Sequence, residues 1–376
     1  MTEPIPLSAP DITEAEIDAV VSVLGTPRLS LGPQAEAFES AMATLAAVPH
    51  AVAVSSGTAG LHLALLALNI GPGDEVIVPS FTFIAVANAV RYVGAYPVFA
   101  DIDPTTLNLD PHSVEAALTP RTRALIAVHT FGRPADMNAL AALARRGSLV
   151  LIEDACEAIG ATIDNRPVGS FGDAAVFAFY PNKQITTGEG GMVVTPHPEV
   201  ARRIAALRNH GRYESAPGAF SETHAEIGFN YRLSEIQCAL GIAQLARLDA
   251  ILARRHDLAR RYCELLAGIP DLVLPATDAP GQRLSWFVFV VRLAERCTAV
   301  HRDRIRQSLG SAGIATGCYF APIHEQPAYA AWRAMSHLPI TESVAERTLA
   351  LPFFNRLADG QIQRIATGLQ AALRAL

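Results

Sequence analysis

The sequence predicts an α/β protein: a large domain with a mainly parallel sheet, followed by a smaller C-terminal α+β domain. Two observations support this. As far as residue 195, short runs rich in valine and isoleucine alternate with helical patterns, as in a parallel sheet buried on both faces. After about residue 235, long helical patterns take over and strands become sparse. We therefore expect a large domain over residues 1–245 and a small domain over residues 246–376.

The predicted strands of the large domain are short and apolar. They cover residues 51–54, 75–79, 96–100, 123–128, 149–154, 174–179 and 192–195. Helical patterns lie between them at residues 60–68, 86–94 and 134–146. Because the carboxyl ends of parallel strands meet at one edge of a sheet, ligands of such domains bind there.

A helical pattern over residues 236–266 begins the C-terminal part, and we expect its arginines to form a solvated face. Strands are predicted over residues 286–293 and 314–320. A helix over residues 360–375 closes the chain.

Composition narrows the classes of function. A net charge of −6 argues against a general nucleic-acid binder. No apolar run is long enough for a membrane span, and the acidic first residues do not resemble a signal peptide, so we expect a cytoplasmic protein. The five cysteines are scattered without a CxxC pair, which predicts free thiols, with no metal site and no disulfide framework.

Lysine usage is unusual. Of 30 basic residues only one, Lys183, is lysine. An arginine-biased genome is the alternative explanation for most of this skew. Lys183 still stands out, because lysine can lose its proton and act as a nucleophile, whereas arginine cannot.

Two groups of residues follow predicted strands and suit a phosphorylated cofactor. Ser56, Gly57 and Thr58 lie between a strand and a helix, where free backbone N–H groups favour a phosphate. Ordinary helix capping explains the same residues. Asp154 ends an apolar strand, where it can pair with a pyridinium nitrogen; a helix cap or structural ion pair is the alternative.

Two further residues complete the pattern. Lys183 lies in a polar, glycine-rich turn after a strand, where it can form an aldimine and move a proton. Phe83 follows strand 75–79 and can stack on a flat ring, although a core position is the alternative. Together the four positions supply a phosphate cradle, a stacking ring, a pyridinium partner and an aldimine lysine.

The chain closely resembles the DegT/DnrJ/EryC1/StrS family of sugar aminotransferases, which have the fold type I of pyridoxal-phosphate (PLP)-dependent transferases. The resemblance covers nearly the whole chain. Its segments include SSGTAGLHLAL, GDEVIVPSFTFIA, HTFGRPADM, IEDACEAIGA, NKQITTGEGGMVVT, RNHGR, GFNYRLSEIQCALG and YFAPIHEQPAY. It implies a mainly parallel seven-stranded sheet between helices and PLP as the cofactor.

The resemblance also implies roles for individual residues. Gly57, Thr58 and the Ala59 amide hold the phosphate, Phe83 covers the ring, Asp154 meets the pyridinium nitrogen, Glu157 lies at the O3′ side, Lys183 forms the aldimine, and Asn230 reaches the partner subunit's phosphate. The implied active unit is a homodimer with shared sites. Many members have serine where this chain has Ala178, so one phosphate hydrogen bond is missing or is supplied by Asn230, Ser56 or water.

The expected reaction moves an amino group from L-glutamate to a nucleotide-linked keto-sugar. Residues 185–191 read ITTGEGG, which resembles members that aminate C4 of a 4-keto-6-deoxy sugar, including perosamine synthases. Candidate substrate-binding residues are Arg28, Arg212, Arg232, Tyr319 and His324. For the three arginines and the histidine, an ordinary surface or ion-pairing role is the alternative. The alternatives are a 3-keto sugar, a cyclic ketone such as an inosose, and a regulatory protein that keeps the fold without turnover.

Overall fold

The computed structural model describes residues 3–213, 223–277 and 279–376. Its strands, in chain order, are β1 (His50–Val54), β2 (Glu75–Pro79), β3 (Tyr96–Ala100), β4 (Thr122–Val128), β5 (Val150–Asp154), β6 (Thr162–Ile163), β7 (Arg166–Pro167), β8 (Ala174–Ala178), β9 (Gly191–Thr195), β10 (Leu272–Val273), β11 (Gln282–Arg283), β12 (Phe289–Leu293) and β13 (Thr348–Leu351).

The helices follow the same order. They are α1 (Glu14–Leu24), α2 (Pro33–Leu45), α3 (Gly57–Ala67), α4 (Ala85–Tyr92), α5 (Pro111–Ala116), α6 (Met137–Gly147), α7 (Pro198–Leu207), α8 (Glu235–Ala246), α9 (Leu248–Leu266), α10 (Ala299–Ser311), α11 (Ala330–Arg333), α12 (Pro339–Arg347) and α13 (Asp359–Arg374).

The predicted seven-stranded, mainly parallel sheet is confirmed. Its strand order is β1-β9-β8-β5-β4-β2-β3, and β9 runs antiparallel to both of its neighbours while the other strands are parallel. The strands are almost wholly buried, because helices cover both faces of the sheet. The carboxyl ends of β1, β2, β5 and β8 therefore share one edge, where β9 begins.

A second, antiparallel sheet of order β10-β12-β13 lies in the C-terminal part of the chain. Its core is formed by residues 258–372 together with Ile5 from the other end of the chain. The backbone of Ile5 pairs with Gly313 and Ala315, so the first described residues pack with the C-terminal part. The domain boundary at residue 245 stays a prediction.

The helical pattern over residues 236–266 is not one helix, and that prediction was wrong. The helix stops at Ala246, a new one begins at Leu248, and the two axes differ by 62°. The bend lets α8 pack on α1 and α2 while α9 packs on α13. Arg255 on α9 is buried, which contradicts the predicted solvated face at that position.

The strand predicted over residues 314–320 also does not form. Ile314 and Gly317 make only isolated bridges, to Ile5 and Ala350. Within the described ranges no single helix is long and apolar enough for a membrane crossing; α8 and α9 reach that length and composition only as the bent pair.

Candidate active site

The turn between β1 and α3 brings several backbone N–H groups to the shared edge of the sheet. Ser56 caps α3, and its Oγ accepts a hydrogen bond from the Ala59 amide at 3.1 Å. Gly57 and Thr58 form the first turn of the helix. The helix N-terminus thus presents positive dipole and N–H donors, which is the arrangement that binds a phosphate.

Gly57 is tightly enclosed at this turn. A Cβ atom at Gly57 would lie 2.8 Å from Ala178 Cβ and 2.9 Å from Cys156 Sγ. The side chain of Ala178, the last residue of β8, therefore faces the first residue of α3. The first turn of α3, the end of β8 and the segment after β5 are therefore close together.

Asp154 ends β5 and is buried. Its Oδ1 accepts a hydrogen bond from the Cys156 amide at 3.0 Å. Burial, together with the charge of Asp154, raises the pKa of the Cys156 thiol well above its usual range, so this thiol is neutral. A carboxylate placed here can pair with a cationic ring nitrogen.

Lys183 and Glu157 form an ion pair. Lys183 Nζ lies 3.6 Å from Glu157 Oε1, and the two side chains are only 13% and 10% exposed. Lys183 Nζ also lies 4.0 Å from the centroid of the Phe287 ring. Burial raises the pKa of the Glu157 carboxyl, and the Lys183 charge opposes that rise.

The backbone around this pair is held from several sides. Gln184 Nε2 donates hydrogen bonds to the carbonyls of Glu157 and Ser285, at 2.6 and 3.0 Å. Arg255 donates to the carbonyls of Phe287 and Lys183, at 3.1 and 3.4 Å. These contacts connect the turn of Lys183 to the C-terminal part of the chain.

Several of these residues were not among the sequence candidates. Phe287 lies in an apolar run that predicts only a strand, and Arg255 lies in a helical pattern that predicts a solvated face. Neither carried a signal of its role, because the signal is the tertiary contact with Lys183.

Phe83 lies beyond the end of β2 with 61% of its surface exposed. Its neighbour Phe81 is fully buried and packs on Phe131 and Phe320. The core alternative for Phe83 therefore does not hold, and its ring is free to cover a flat ligand. The buried Asn182 Oδ1, next to Lys183, has no partner in the described residues.

The structure places the candidate substrate-binding residues in different parts of the molecule. Tyr319 is half-buried; burial raises its pKa, and the charge of Glu157 adds to the rise, which places Tyr319 near the ion pair. His324 is buried instead: its Nδ1 lies 2.7 Å from Ser80 Oγ and its Nε2 lies 3.3 Å from Glu342 Oε1. Both ring nitrogens are engaged within the protein.

The arginine candidates lie elsewhere. Arg28 is exposed and packs near Gly32. Arg232 donates a hydrogen bond to the Asn209 side chain at 2.8 Å, and the exposed Asn230 pairs with the backbone of Asn209. Arg212 and Asn209 line a cleft of about 1100 Å³, whose walls come from α2, β1 and α7 and do not include Lys183.

A metal site is not evident. In the described parts of the chain, no cluster of three or more His, Cys, Asp or Glu side chains has the arrangement of metal ligands.

Comparison with known proteins identifies the family. Residues 10–370 match the model of the DegT/DnrJ/EryC1/StrS aminotransferase family. A UDP-N-acetyl-3-dehydro-alpha-D-glucosamine 3-aminotransferase of Acidithiobacillus ferrooxidans is 43% identical over 95% of this chain and 93% of that protein. A GDP-perosamine synthase of Caulobacter vibrioides is 41% identical over 98% of each chain.

Solved structures agree with these relatives. DesV of S. venezuelae, solved in complex with a ketimine intermediate, is 41% identical with a TM-score of 0.89, and the match covers 98% of each chain. The PLP form of the sugar aminotransferase Spr1654 of Streptococcus pneumoniae has a TM-score of 0.92 at 28% identity over 99% of each chain. The chain therefore belongs to the DegT/DnrJ/EryC1/StrS aminotransferase family and is a PLP-dependent aminotransferase.

Proposed function

We propose that this sugar aminotransferase moves the amino group of L-glutamate to C4 of a nucleotide-linked 4-keto-6-deoxy sugar. The observation that carries the chemistry is the enclosed lysine: Lys183 Nζ faces Glu157 beside Asp154, at the edge where parallel strands end. The choice of C4 rests on residues 185–191, which resemble the C4-aminating members.

The residues present fit PLP. The N-terminus of α3 offers donors to a phosphate, Phe83 offers an exposed ring, and Asp154 offers a buried carboxylate to a ring nitrogen. We assign Gly57, Thr58 and Ala59 to the phosphate. In this structure the Ala59 amide donates to Ser56 Oγ, so a phosphate must share or replace that bond. When bound, PLP supplies an electron sink for the carbanion at the substrate carbon.

The side chains of the protein bind the ring and transfer the proton. The side chain of Asp154 is placed to pair with a protonated ring nitrogen. Lys183 Nζ takes a proton from the substrate carbon and later returns one, because it is a flexible amine held within an enclosed site. The aromatic ring of Phe287, 4.0 Å from Lys183 Nζ, shields this amine from water.

A 3-keto sugar nucleotide is the second candidate. The relative from Acidithiobacillus ferrooxidans is named as a 3-aminotransferase and is 43% identical, slightly above the perosamine synthase. Identity at this level does not separate the two candidates, because the two relatives are almost equally identical to this chain and carry different names.

We further propose a homodimer in which Asn230 reaches the partner's phosphate site. The exposure of Asn230, beside the large cleft that Asn209 lines, supports this placement. The cytoplasmic location stays a prediction.

One experiment distinguishes a 4-keto from a 3-keto sugar substrate and also tests the role of Lys183. The purified enzyme is incubated with L-glutamate and a matched panel of 3-keto and 4-keto nucleotide sugars, and the products are identified by mass spectrometry. We expect a 4-amino product, a visible absorption band that glutamate bleaches, and loss of both in Lys183→Ala. A clear preference for 3-keto sugars would refute the C4 assignment, and full transamination by Lys183→Ala would refute the role of the lysine.

A further inference from the structure

The carboxylate of Glu157 is shared between two partners. Its Oε2 accepts a hydrogen bond from the Phe131 amide at 2.8 Å, and its Oε1 lies 3.6 Å from Lys183 Nζ. Because both side chains are largely enclosed, solvent and salt screen their attraction only weakly.

Glu157 is also held in place. Phe131 has a left-handed backbone with φ of 58°, and its ring stacks on Phe320. Gln184 Nε2 donates to the carbonyl of Glu157 at 2.6 Å. The amide of Phe131 and the fixed backbone keep the carboxylate directed at the lysine.

The charged and titratable groups around Glu157 come from three parts of the chain. Asp154 and Cys156 lie on the segment that ends β5, Lys183 lies on the turn after β8, and Tyr319 comes from the C-terminal part. Burial raises the pKa of the Cys156 and Tyr319 side chains, so both are neutral near pH 7. The Lys183 amine thus faces the Glu157 carboxylate, and Asp154 lies close enough to Glu157 to influence its charge.

We propose that the negative charge of Glu157 stabilises the ammonium form of Lys183 and makes this amine a stronger proton acceptor than it would be beside a neutral residue. The inference rests on the role proposed above for Lys183. When Nζ takes the proton, the substrate C–H bond breaks, an N–H bond forms, and the electron pair stays with the substrate. Glu157 then pairs with the new ammonium ion. It acts through Lys183 and is a positioning residue.

The composition of the chain allows the effect of Glu157 on the Lys183 amine to be measured. Lys183 is the only lysine, so an acetylating reagent for amines can modify only Lys183 and the amino terminus, which peptide mass spectrometry separates. The rate of Lys183 acetylation is measured against pH on the cofactor-free, full-length chain, since only the unprotonated amine reacts. In Glu157→Gln, which keeps an acceptor for the Phe131 amide, we expect the midpoint to fall by about one pH unit. Below both midpoints, acetylation then becomes about tenfold faster.

Two variants complete the design. Glu157→Asp restores the charge and should return the midpoint toward that of the wild type. Glu115→Gln, at an exposed surface ion pair with Arg146, should change nothing. If Glu157→Gln does not fold, Glu157→His takes its place, because imidazole is neutral at the alkaline pH where lysine titrates.

An unchanged or raised midpoint in the neutral variant would overturn the proposal. Equal shifts in the Gln and Asp variants would overturn it too, because geometry would then be responsible and not charge. Since the measurement needs neither cofactor nor sugar, its outcome is separate from that of the substrate panel.

Discussion

Two residues at the site differ from those that the family resemblance leads one to expect. Glu157 stands where members often have glutamine or histidine, and Ala178 stands where many have serine. In the structure, Glu157 contacts Lys183, and Ala178 faces the first turn of α3. The resemblance could locate these positions, but only the contacts show which group each residue faces.

Replacing Ala178 with serine is expected to raise the affinity of the enzyme for PLP. In Ala178→Ser the new hydroxyl lies at the turn of Gly57 and can donate to the phosphate proposed there. One hydrogen bond to a charged group stabilises by about 1.5 kcal/mol, so the Kd for PLP should fall by about tenfold. Absorbance titration of the cofactor-free enzyme measures this. Ala178→Cys, similar in size but a weak donor, is the control; a serine variant no tighter than the cysteine variant would contradict the placement.

His324 shows that residue type and position in a motif do not by themselves identify a substrate-binding residue. Its position in the YFAPIHEQPAY segment made it a candidate for substrate binding. The structure places its ring between Ser80 and Glu342, where it joins the end of β2 to the C-terminal part. A histidine beside a functional segment has the same appearance in the sequence whether it binds a ligand or supports the strand that does.

At the scale of elements, α1 is attached to α8 by one buried carboxylate. Glu16 is fully buried, and its Oε1 accepts hydrogen bonds from Gln244 and Arg247, at 2.9 and 2.7 Å. Burial raises the pKa of Glu16, but these bonds and those from Thr13 outweigh it and lower the pKa from 4.5 to about 2. The stabilisation is therefore fully present above about pH 4.5 and is lost as the pH falls toward 2.

Glu16→Gln tests this attachment. We expect a loss of about 2 kcal/mol in the free energy of unfolding at pH 7, because Arg247 loses its buried partner. The difference from the wild type should shrink as the pH falls from 4.5 toward 2. Urea unfolding at several pH values gives both quantities, with the exposed Glu14→Gln on the same helix as the control. A difference independent of pH would mean that the charge of Glu16 does not stabilise the fold.

The elements that sequence reasoning predicted best are those whose own composition determines them. The valine-rich strands β1, β2 and β5 lie where their apolar runs do, because buried parallel strands require such runs. The break at Arg247 was not predictable, because the helical periodicity continues through it and only packing against two different partners bends the chain. Residues 314–320 failed as a strand for the same reason: no described strand lies where they could pair along their length.

At the scale of the whole molecule, mixed dimers can test the proposal that Asn230 of each subunit contributes to the active site of its partner. A heterodimer of Lys183→Ala and Asn230→Ala subunits contains one wholly intact site if Asn230 serves the partner, and none if it serves its own subunit. In the purified mixed dimers one of the two sites is intact, so about half of the wild-type activity per dimer should return. The two variants are co-expressed with different affinity tags, and the doubly tagged dimers are assayed. Activity no higher than the sum of the two parent variants would contradict sharing.

The two ends of the chain meet in one structure. Ile5 belongs to the C-terminal core, and residues from both halves, such as Lys183 and Phe287, form the candidate site. The change of pattern near residue 235 predicts a division into domains by chain order, and that division stays a prediction. The return of the first residues could not be predicted, because a short segment such as residues 3–9 carries no periodicity that names its partner.

The turn of Lys183, with its amide bonded to Tyr180 and its carbonyl to Arg255, has one more consequence. A protease that cuts only after lysine has a single peptide bond to attack in this chain, and that bond lies inside the candidate site. Cleavage into residues 1–183 and 184–376 can therefore occur only when the turn opens and the lysine side chain is free. The rate of cleavage at this bond reports how often the turn of Lys183 opens locally. A ligand that binds in the site and holds the turn closed should slow the cleavage.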